Sequence, residues 1–350
     1  MKTIILTGGG TAGHIMPNVA LIPELRKHFD RIVYIGSKKG MEKNIISKID
    51  GVEFIEIEPV KFIRKLTLKN LLIPFKLISS IRKCKKIINE VKPNIVFSKG
   101  GYVSVPVVIA ANKCGVPILS HESDYSFGLA NKIIMRYATF MLTSFRDTCQ
   151  GNKCIFTGSP IREEIFKGNK SIAKAECEFK KNQPTILIFG GSLGAKKINE
   201  LVFKNIKKLN DYNIIHIVGK GNKTDLCADN YHQLEFAENI WDYFALADLI
   251  VSRAGANSIF EILALKKPML LLPLGKAQSR GDQIENALAF KKMGFASVLL
   301  DEDLSNSSFV RAIKALHKNS EKYVEKMKKQ QKLFSNKIII EKIIEVAKTD

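Results

Sequence analysis

Short apolar runs alternate with longer amphipathic stretches along most of the chain. TIILT and RIVYI in the first half, and TILIF and DLIVS in the second, have the length of buried strands. Between such runs apolar residues recur at helical spacing, as in Ile198, Leu201, Val202, Ile206 and Leu209. Strands that alternate with helices predict an α/β fold, in which parallel sheets are covered by helices on both faces.

A glycine-rich turn follows the first strand of each half. ILTGGGTAGH stands near the start of the chain, and ILIFGGSLGA begins the second half. Both lie between an apolar run and a helical pattern, so two Rossmann-like domains are predicted. We place the first domain at 1–160 and the second at 161–329, and expect the helix of about 330–350 to pack back on the first.

The totals agree with this organisation and add a strong charge. A chain of 350 residues suits two domains, and its six cysteines form no C-x-x-C pair. The net charge of +21 indicates an anionic partner, which could be nucleic acid, a membrane or a charged substrate. No apolar run approaches the roughly 20 residues that a membrane-spanning helix needs.

The first glycine-rich turn fits G-x-G-x-x-G through Gly8, Gly10 and Gly13. A dinucleotide site would need a carboxylate about 20 residues further on to hold the ribose. GSKKG stands there instead, which weakens the dinucleotide interpretation without excluding it. His14 follows the turn directly, where its imidazole could act as a base or merely cap the helix.

Polar loops follow several other predicted strands. SKGGYVSVP and HESDYSFGLAN do so in the first half, and SRAGANSIFE and RGDQIENA in the second. The carboxyl ends of parallel strands form the ligand-binding edge of such a fold, although each loop alone could be an ordinary turn or a solvated face. His121, Glu122 and Asp124 could conceivably bind a metal, but their spacing is not diagnostic.

The segment from Lys61 to Lys92 mixes ten basic residues with apolar ones and holds one acid, Glu90. This composition suits a helix that lies on an anionic membrane surface. A solvated helix face is the alternative interpretation. Nucleic acid is less favoured, because no nucleic-acid-binding motif accompanies the charge.

Taken together, seven motifs in one order resemble the MurG family of N-acetylglucosaminyltransferases, which complete lipid II in peptidoglycan synthesis. They span residues 8 to 287 and read GGGTAGHIMPNVAL, SKGGYVSVPVV, HESDYSFGLANKI, TGSPIREEI, FGGSLGAKKIN, SRAGANSIFEI and RGDQIENA.

The resemblance implies a GT-B glycosyltransferase fold, with two Rossmann-like domains whose parallel sheets face each other across a cleft. It implies inverting transfer of N-acetylglucosamine from UDP-N-acetylglucosamine (UDP-GlcNAc) to the 4-hydroxyl of the muramoyl unit of lipid I. The protein would be peripheral, on the anionic cytoplasmic face of the cell membrane. Neither a cofactor, a metal nor nucleic acid is expected to take part.

Residue roles implied by the resemblance follow its motifs. His14 would be the base or an acceptor contact. The donor would be bound by Thr11, Gly13, Arg162, Gly191, Ser192, Gly255, Ala256, Glu261, Gln283 and Asn286. The acceptor would be bound by Gly10, Gly13, Gly100, Gly101, Tyr102, Glu122, Asp124 and Asn131. Asp124 and Asp282 depart from the family pattern, where many members have Asn and His or Gln, so their contacts are open.

Three alternative functions remain from the sequence. A diacylglycerol glycosyltransferase would share the donor site and the membrane surface. A UDP-sugar epimerase would turn over the donor without an acceptor. A non-catalytic sugar-nucleotide or lipid-binding protein would bind UDP-GlcNAc and release no UDP.

Overall fold

A computed structural model describes residues 1–60, 73–191, 194–275, 279–330 and 336–347 of the chain. It divides into two compact units. The first consists of Met1–Arg162 and Lys332–Asp350, and the second of Glu163–Gln331. Residues 61–72 of the predicted membrane segment, and Ser192, lie outside the described residues.

All thirteen described strands are short, and most are fully buried. In chain order they are β1 Thr3–Thr7, β2 Arg31–Ser37, β3 Val52–Ile57, β4 Ile95–Ser98, β5 Ile118–Glu122, β6 Phe140–Thr143, β7 Cys154–Phe156, β8 Thr185–Phe189, β9 Asn213–Ile217, β10 Tyr231–Leu234, β11 Leu249–Ser252, β12 Met269–Leu271 and β13 Ala296–Val298.

The described helices alternate with the strands, except that no helix separates β6 from β7 or β9 from β10 and that the last three helices follow one another. They are α1 Ala12–Leu25, α2 Met41–Ile46, α3 Ile73–Val91, α4 Ser104–Lys113, α5 Leu129–Ile134, α6 Lys170–Cys177, α7 Lys196–Asn205, α8 Ile240–Leu246, α9 Ala256–Ala264, α10 Asp282–Lys292, α11 Asn306–Lys318, α12 Ser320–Lys328 and α13 Asn336–Ala347.

The first unit is built on a seven-stranded sheet in the order β3-β2-β1-β4-β5-β6-β7. Every neighbouring pair is parallel. From β1 the chain adds β2 and β3 on one side, and from β4 it adds β5 to β7 on the other. The loops that leave β1 and β4 therefore run in opposite directions. Such a switch point opens a crevice at the carboxyl edge of the sheet, where ligands bind in open α/β folds.

Apolar clusters cover both faces of this sheet. One joins α3 and α4 to the strands through residues such as Cys84 and Val107. The other joins α1 and α13, and it includes Ile339 and Ile343 from the C-terminal helix. Full burial of an isoleucine side chain stabilises a fold by about 1.5–3 kcal/mol, so α13 contributes substantially to the first unit.

The second unit repeats the design with a six-stranded parallel sheet in the order β10-β9-β8-β11-β12-β13. Its switch point lies between β8 and β11. One core cluster joins α7 and α11 to the sheet, with Val202 and Phe309 fully buried. The two parallel α/β units therefore have the architecture that the hydrophobic pattern predicts.

One strand, β10, was not predicted from the apolar runs of the sequence. β10, with the sequence YHQL, has a single buried residue, and the other three are half-buried. It is an edge strand that pairs only with β9. Because one side of an edge strand faces solvent, its sequence needs no continuous apolar run.

Candidate active-site loops in the two units

The switch point of the first unit brings two glycine-rich turns into contact. The turn after β1 contains Gly9, and the turn after β4 contains Gly100 and Gly101. Gly101 has a φ of +79°, and a Cβ atom there would collide with the carbonyl oxygen of Gly9. Only glycine combines this backbone conformation with such a close approach, so the two turns form one backbone surface at the carboxyl edge of the sheet.

His14 lies where these turns meet. Its Nδ1 is 2.9 Å from the hydroxyl of Thr11, the N-cap of α1. A Cβ on Gly101 would be 3.3 Å from the same Nδ1 atom. On the other side of the turn, the ring of Tyr102 lies 2.6 Å from the Cβ position of Gly10. The structure thus brings together the two glycine turns, Thr11, His14 and Tyr102.

Glu122 organises the loop that follows β5. Its carboxylate accepts hydrogen bonds from the backbone N–H groups of Asp124 and Gly128, each at 3.0 Å. It also accepts a hydrogen bond from the side-chain amide of Asn131 at 2.9 Å. The Oδ1 atom of Asn131 lies 2.5 Å from the Cβ position of Gly100. Glu122 and Asn131 therefore join this loop to the glycine turns.

The metal interpretation of this loop gains no support from its geometry. Nδ1 of His121 contacts the ammonium of Lys99, and its Nε2 contacts the carbonyl of Gly158. Within the described ranges, no group of three or more His, Cys, Asp and Glu side chains is arranged to hold a metal ion.

Glu42 is a buried acid at this edge that the sequence analysis did not single out. Its Oε1 accepts the N–H of Ser37 at 2.8 Å and lies 2.7 Å from the Cβ position of Gly9. Among the described residues, no hydrogen-bond partner reaches its Oε2 atom. Burial, and the charge of Glu42, raise the pKa of Tyr102. The carboxyl of Glu42 thus lies buried against the first glycine turn.

In the second unit, a glycine turn joins β8 to α7. Gly191 and Gly194 both have positive φ, at +108° and +75°. A Cβ on Gly194 would collide with the carbonyl oxygen of Val218, so the turn packs directly on the backbone that follows β9. The turn leads directly into the N-terminus of α7, where backbone N–H groups attract anions.

A second helix of this unit begins at its switch point. Gly255 is the N-cap of α9, and Ala256 is its first residue. The side-chain amide of Asn286, from α10, donates to the carbonyl of Ala254 at 3.2 Å. The Gln283 side chain accepts the N–H of Leu274 at 3.1 Å. Both α10 amides therefore brace the loops that leave β11 and β12.

Glu261 lies on α9, one and a half turns from its start, and is buried. The rings of Phe260 and Phe290 meet edge to face, with centroids 5.2 Å apart, and so pack α9 against α10. Asp282 is the first residue of α10, and its Oδ1 lies 3.6 Å from Nε of Arg280. The predicted residues Gly255, Ala256, Glu261, Gln283 and Asn286 thus come from two helices that pack together.

Two arginines remain to be placed. Arg253 follows β11, is buried, and donates to the carbonyls of Leu272 and Pro273. Burial lowers the pKa of its guanidinium, while Asp301 raises it. The sequence analysis missed Arg253, although it stands two residues before Gly255. Arg162 is the last residue of the first segment of unit one and is half-buried.

Comparison with known proteins identifies the family. The model of the glycosyltransferase family 28 N-terminal domain matches residues 4–143, and that of the C-terminal domain matches residues 185–343. A UDP-N-acetylglucosamine--N-acetylmuramyl-(pentapeptide) pyrophosphoryl-undecaprenol N-acetylglucosamine transferase of Clostridium tetani is 49% identical over 93% of both chains. A Geobacillus kaustophilus transferase of the same name is 48% identical over 94% of both.

Solved structures agree on the fold. MurG of Acinetobacter baumannii matches with a TM-score of 0.78 and 24% identity, over 99% of this chain and 100% of that one. A UDP-GlcNAc 2-epimerase of Neisseria meningitidis matches with a TM-score of 0.68 and 16% identity, over 99% and 100%. The predicted GT-B class of two Rossmann-like domains is confirmed. The chain belongs to glycosyltransferase family 28 and, within it, to the MurG family of N-acetylglucosamine transferases of peptidoglycan synthesis.

Proposed function

We propose that the protein transfers N-acetylglucosamine from UDP-GlcNAc to the 4-hydroxyl of the muramoyl unit of lipid I, with inversion at the anomeric carbon. The observation that carries this proposal is the 49% identity, over 93% of the chain, to a relative whose name states both donor and acceptor. Neither a metal nor another cofactor is needed for this chemistry, and nucleic acid is not a partner.

The second unit binds the donor. The N-termini of α7 and α9 offer backbone N–H groups to the diphosphate, with Gly191 and Gly255 allowing close approach. Ser192 would add a hydroxyl. The carboxylate of Glu261 accepts hydrogen bonds from the ribose diol, and the amides of Gln283 and Asn286 contact the sugar.

The first unit binds the acceptor at its two touching glycine turns. Their backbone approaches the lipid diphosphate, and Tyr102, Glu122 and Asp124 stand beside it. Asn131 supports this assignment, because its Oδ1 atom is buried against Gly100 with no hydrogen-bond partner among the described residues. A hydroxyl or amide of the acceptor would satisfy that oxygen.

In the reaction, the acceptor 4-hydroxyl oxygen attacks the anomeric carbon while the bond from that carbon to the UDP oxygen breaks. The proton of the hydroxyl passes to His14, whose ring is oriented by its contact with Thr11. A positioned base contributes roughly 10²–10⁴-fold to a rate. Negative charge grows on the departing UDP, and Arg162 together with the helix N-termini stabilises it.

The protein docks on the anionic cytoplasmic face of the membrane through α3. Phe75 is 71% exposed and Ile78 is 48% exposed on this helix. Its five basic residues, Lys76, Arg82, Lys83, Lys85 and Lys86, are also exposed. Each basic residue near an anionic bilayer is worth about 1 kcal/mol. None of the described helices is both long and apolar enough to span a bilayer.

Purified protein, lipid I and UDP-GlcNAc labelled in its sugar test the proposal. Label should enter the lipid phase and UDP should appear in equal amount. Transfer to diacylglycerol in place of lipid I would assign the protein to the other lipid glycosyltransferases. Donor turnover without any acceptor would indicate an epimerase or a hydrolase instead, and binding without UDP release would indicate a non-catalytic protein.

A further inference from the structure

Lys99 is a buried lysine directly before the glycine turn of the acceptor site. Its side chain is only 2% exposed, and its backbone N–H donates to Thr7 of β1 at 2.9 Å. Its Cβ lies 3.2 Å from the Cβ position of Gly8, so it also contacts the first glycine turn. Lysine is almost never fully buried unless its ammonium is paired, so its partners indicate its role.

The ammonium of Lys99 has two hydrogen-bond partners from the β5 loop. Its Nζ lies 2.5 Å from Nδ1 of His121 and 2.8 Å from the hydroxyl of Ser123. Nε2 of His121 is 2.9 Å from the carbonyl oxygen of Gly158. Because a carbonyl can only accept, Nε2 carries the proton, and Nδ1 is left to accept from Lys99. His121 is therefore neutral, and burial and the charge of Lys99 lower its pKa well below the usual value.

Two carboxylates complete the surroundings of Lys99. Glu122 and Asp124 flank it, and both favour its charged form. Glu122 in turn holds the backbone of the β5 loop and the side chain of Asn131, which lies against Gly100. Lys99 thus lies where the two glycine turns and the β5 loop converge, and its ammonium is hydrogen-bonded to residues of β5 and the loop that follows it.

We propose that Lys99 is a positioning residue of the acceptor site. Its ammonium holds the loop of Ser123 and Asp124 against the turn of Gly100 and Gly101, in the arrangement that receives the diphosphate of the lipid-linked acceptor. This inference rests on the proposed function, because it concerns the acceptor of that reaction.

The charge of Lys99 gives the proposal a signature that a purely structural role lacks. Burial lowers the pKa of the ammonium to about 7, against the raising effect of Glu122 and Asp124. The ammonium is therefore lost as pH rises through about 7. The other titratable groups at this point are Glu122 and Asp124, His121, which stays neutral, and His14 beyond Gly101. Acceptor binding should weaken as pH rises across this range.

The test compares Lys99→Met, Ser123→Ala and the wild-type protein. Methionine keeps the length of the side chain without its charge, and Ser123→Ala removes one partner of the ammonium with little risk to folding. Lys113→Met, at the exposed end of α4, is the matched control for loss of one positive charge. Binding of a water-soluble short-chain lipid I analogue, and of UDP-GlcNAc, is measured by calorimetry from pH 6 to 9. The kcat and KM for lipid I are measured in parallel.

We expect Lys99→Met to weaken analogue binding at pH 6 by about 10–100-fold, the loss typical of a hydrogen bond to a charged group. Its UDP-GlcNAc affinity should stay within about twofold, because the proposed donor site lies in the other unit, and its thermal unfolding reports whether the first unit is folded. Wild-type and Lys113→Met binding should weaken as pH rises through 7, and Lys99→Met binding should not. Ser123→Ala should show a smaller loss in the same direction.

Equal analogue affinities and equal pH profiles for wild type and Lys99→Met would overturn the proposal. So would a normal analogue affinity in Ser123→Ala, should Lys99→Met fail to fold. Because the calorimetry needs no turnover, its outcome is separate from the proposed function. Analogue binding that depends on Lys99, without transfer of label, would contradict the transferase reaction and leave the role of Lys99 standing.

Discussion

Nε2 of His216, on β9, lies 3.1 Å from Oδ1 of Asn199, on α7. The other nitrogen of the ring lies 3.0 Å from the hydroxyl of Tyr231. Asn199 uses its amide N–H on the carbonyl of Val218, so its Oδ1 accepts from His216. Both ring nitrogens are therefore hydrogen-bonded in the core of the second unit, where His216 is fully buried. Burial lowers its pKa to about 3.

This pairing predicts that acid weakens the fold. An unfolded histidine titrates near pH 6.5, so the native state binds fewer protons between about pH 6.5 and 3. The contribution of His216 to stability is complete above about pH 6.5 and is lost as pH falls. At pH 5 the free energy of unfolding has fallen by about 2 kcal/mol through His216 alone. Urea unfolding at pH 7.5 and 5.0 should show a smaller loss in His216→Gln than in wild type. His28→Gln, at an exposed position, is the control, and equal losses in all three proteins would contradict the assignment.

Gly194→Ala should disrupt the donor loop more than its backbone conformation alone requires. Alanine at φ +75° costs roughly 1–2 kcal/mol, and at Gly194 its Cβ also meets the Val218 carbonyl. Gly221→Ala is the matched control, because Gly221 has the same φ of +75° and no atom within 4 Å of the Cβ position. Gly194→Ala should therefore destabilise the protein by more than Gly221→Ala, and should weaken UDP-GlcNAc binding. Equal stabilities of the two variants would show that the loop rearranges to accommodate the Gly194→Ala Cβ without loss of stability.

His14→Ala should lower kcat by roughly 10²–10⁴-fold, as expected for loss of a positioned base. The KM for UDP-GlcNAc should stay within about twofold, because most of the proposed donor contacts belong to the other unit. Thr11→Val removes the hydroxyl that orients the ring, and should lower kcat by a smaller factor. Steady-state kinetics with lipid I measures both variants. An unchanged kcat in His14→Ala would remove His14 from the base role.

Glu261→Gln should weaken UDP-GlcNAc binding by about 10–100-fold, because hydrogen bonds to a charged group contribute about 1.5–3 kcal/mol. The substitution keeps the shape of the buried side chain, so α9 and its Phe260–Phe290 contact should persist. Calorimetric titration with UDP-GlcNAc measures the change, and the affinity for lipid I is the internal control. Normal donor affinity would place the ribose elsewhere.

Phe75→Ser should reduce binding to anionic vesicles by roughly tenfold or more, the value of one large apolar side chain. Ile172→Ser is the matched control, because Ile172 is 54% exposed but lies on the second unit. Sedimentation with phosphatidylglycerol vesicles, at low and high salt, measures the bound fraction. Equal loss of binding in both variants would contradict docking through α3.

Much of the fold follows from local sequence. Buried strands such as β8 and β11 are continuous apolar runs, because both faces of a parallel sheet are covered. The edge strand β10 carries polar residues and left no such pattern. The order of the strands in each sheet could not be predicted from the hydrophobic pattern, because pairing such as that of β1 with β4 depends on long-range packing.

The candidate site divides in the same way. The glycine-rich turns that contain Gly101 and Gly194 could be located from the sequence, because each directly follows an apolar run, although a turn alone does not indicate a ligand. Glu42 and Lys99 gave no signal, because charged residues are common and their burial is set only by the folded chain. The roles of Gln283 and Asn286 toward the sugar stay predictions, while their hydrogen bonds to Leu274 and Ala254 define their place in the fold.

The proposed reaction forms a new glycosidic bond, so the chemical structure of the product tests it most directly. Lipid I treated with the protein and UDP-GlcNAc should be recovered as a lipid with one additional N-acetylhexosamine, shown by mass spectrometry. Proton NMR should place the new sugar on the 4-hydroxyl of the muramoyl unit in a β linkage. Recovery of unchanged lipid I while UDP-GlcNAc is consumed, or an α linkage in the product, would contradict the account.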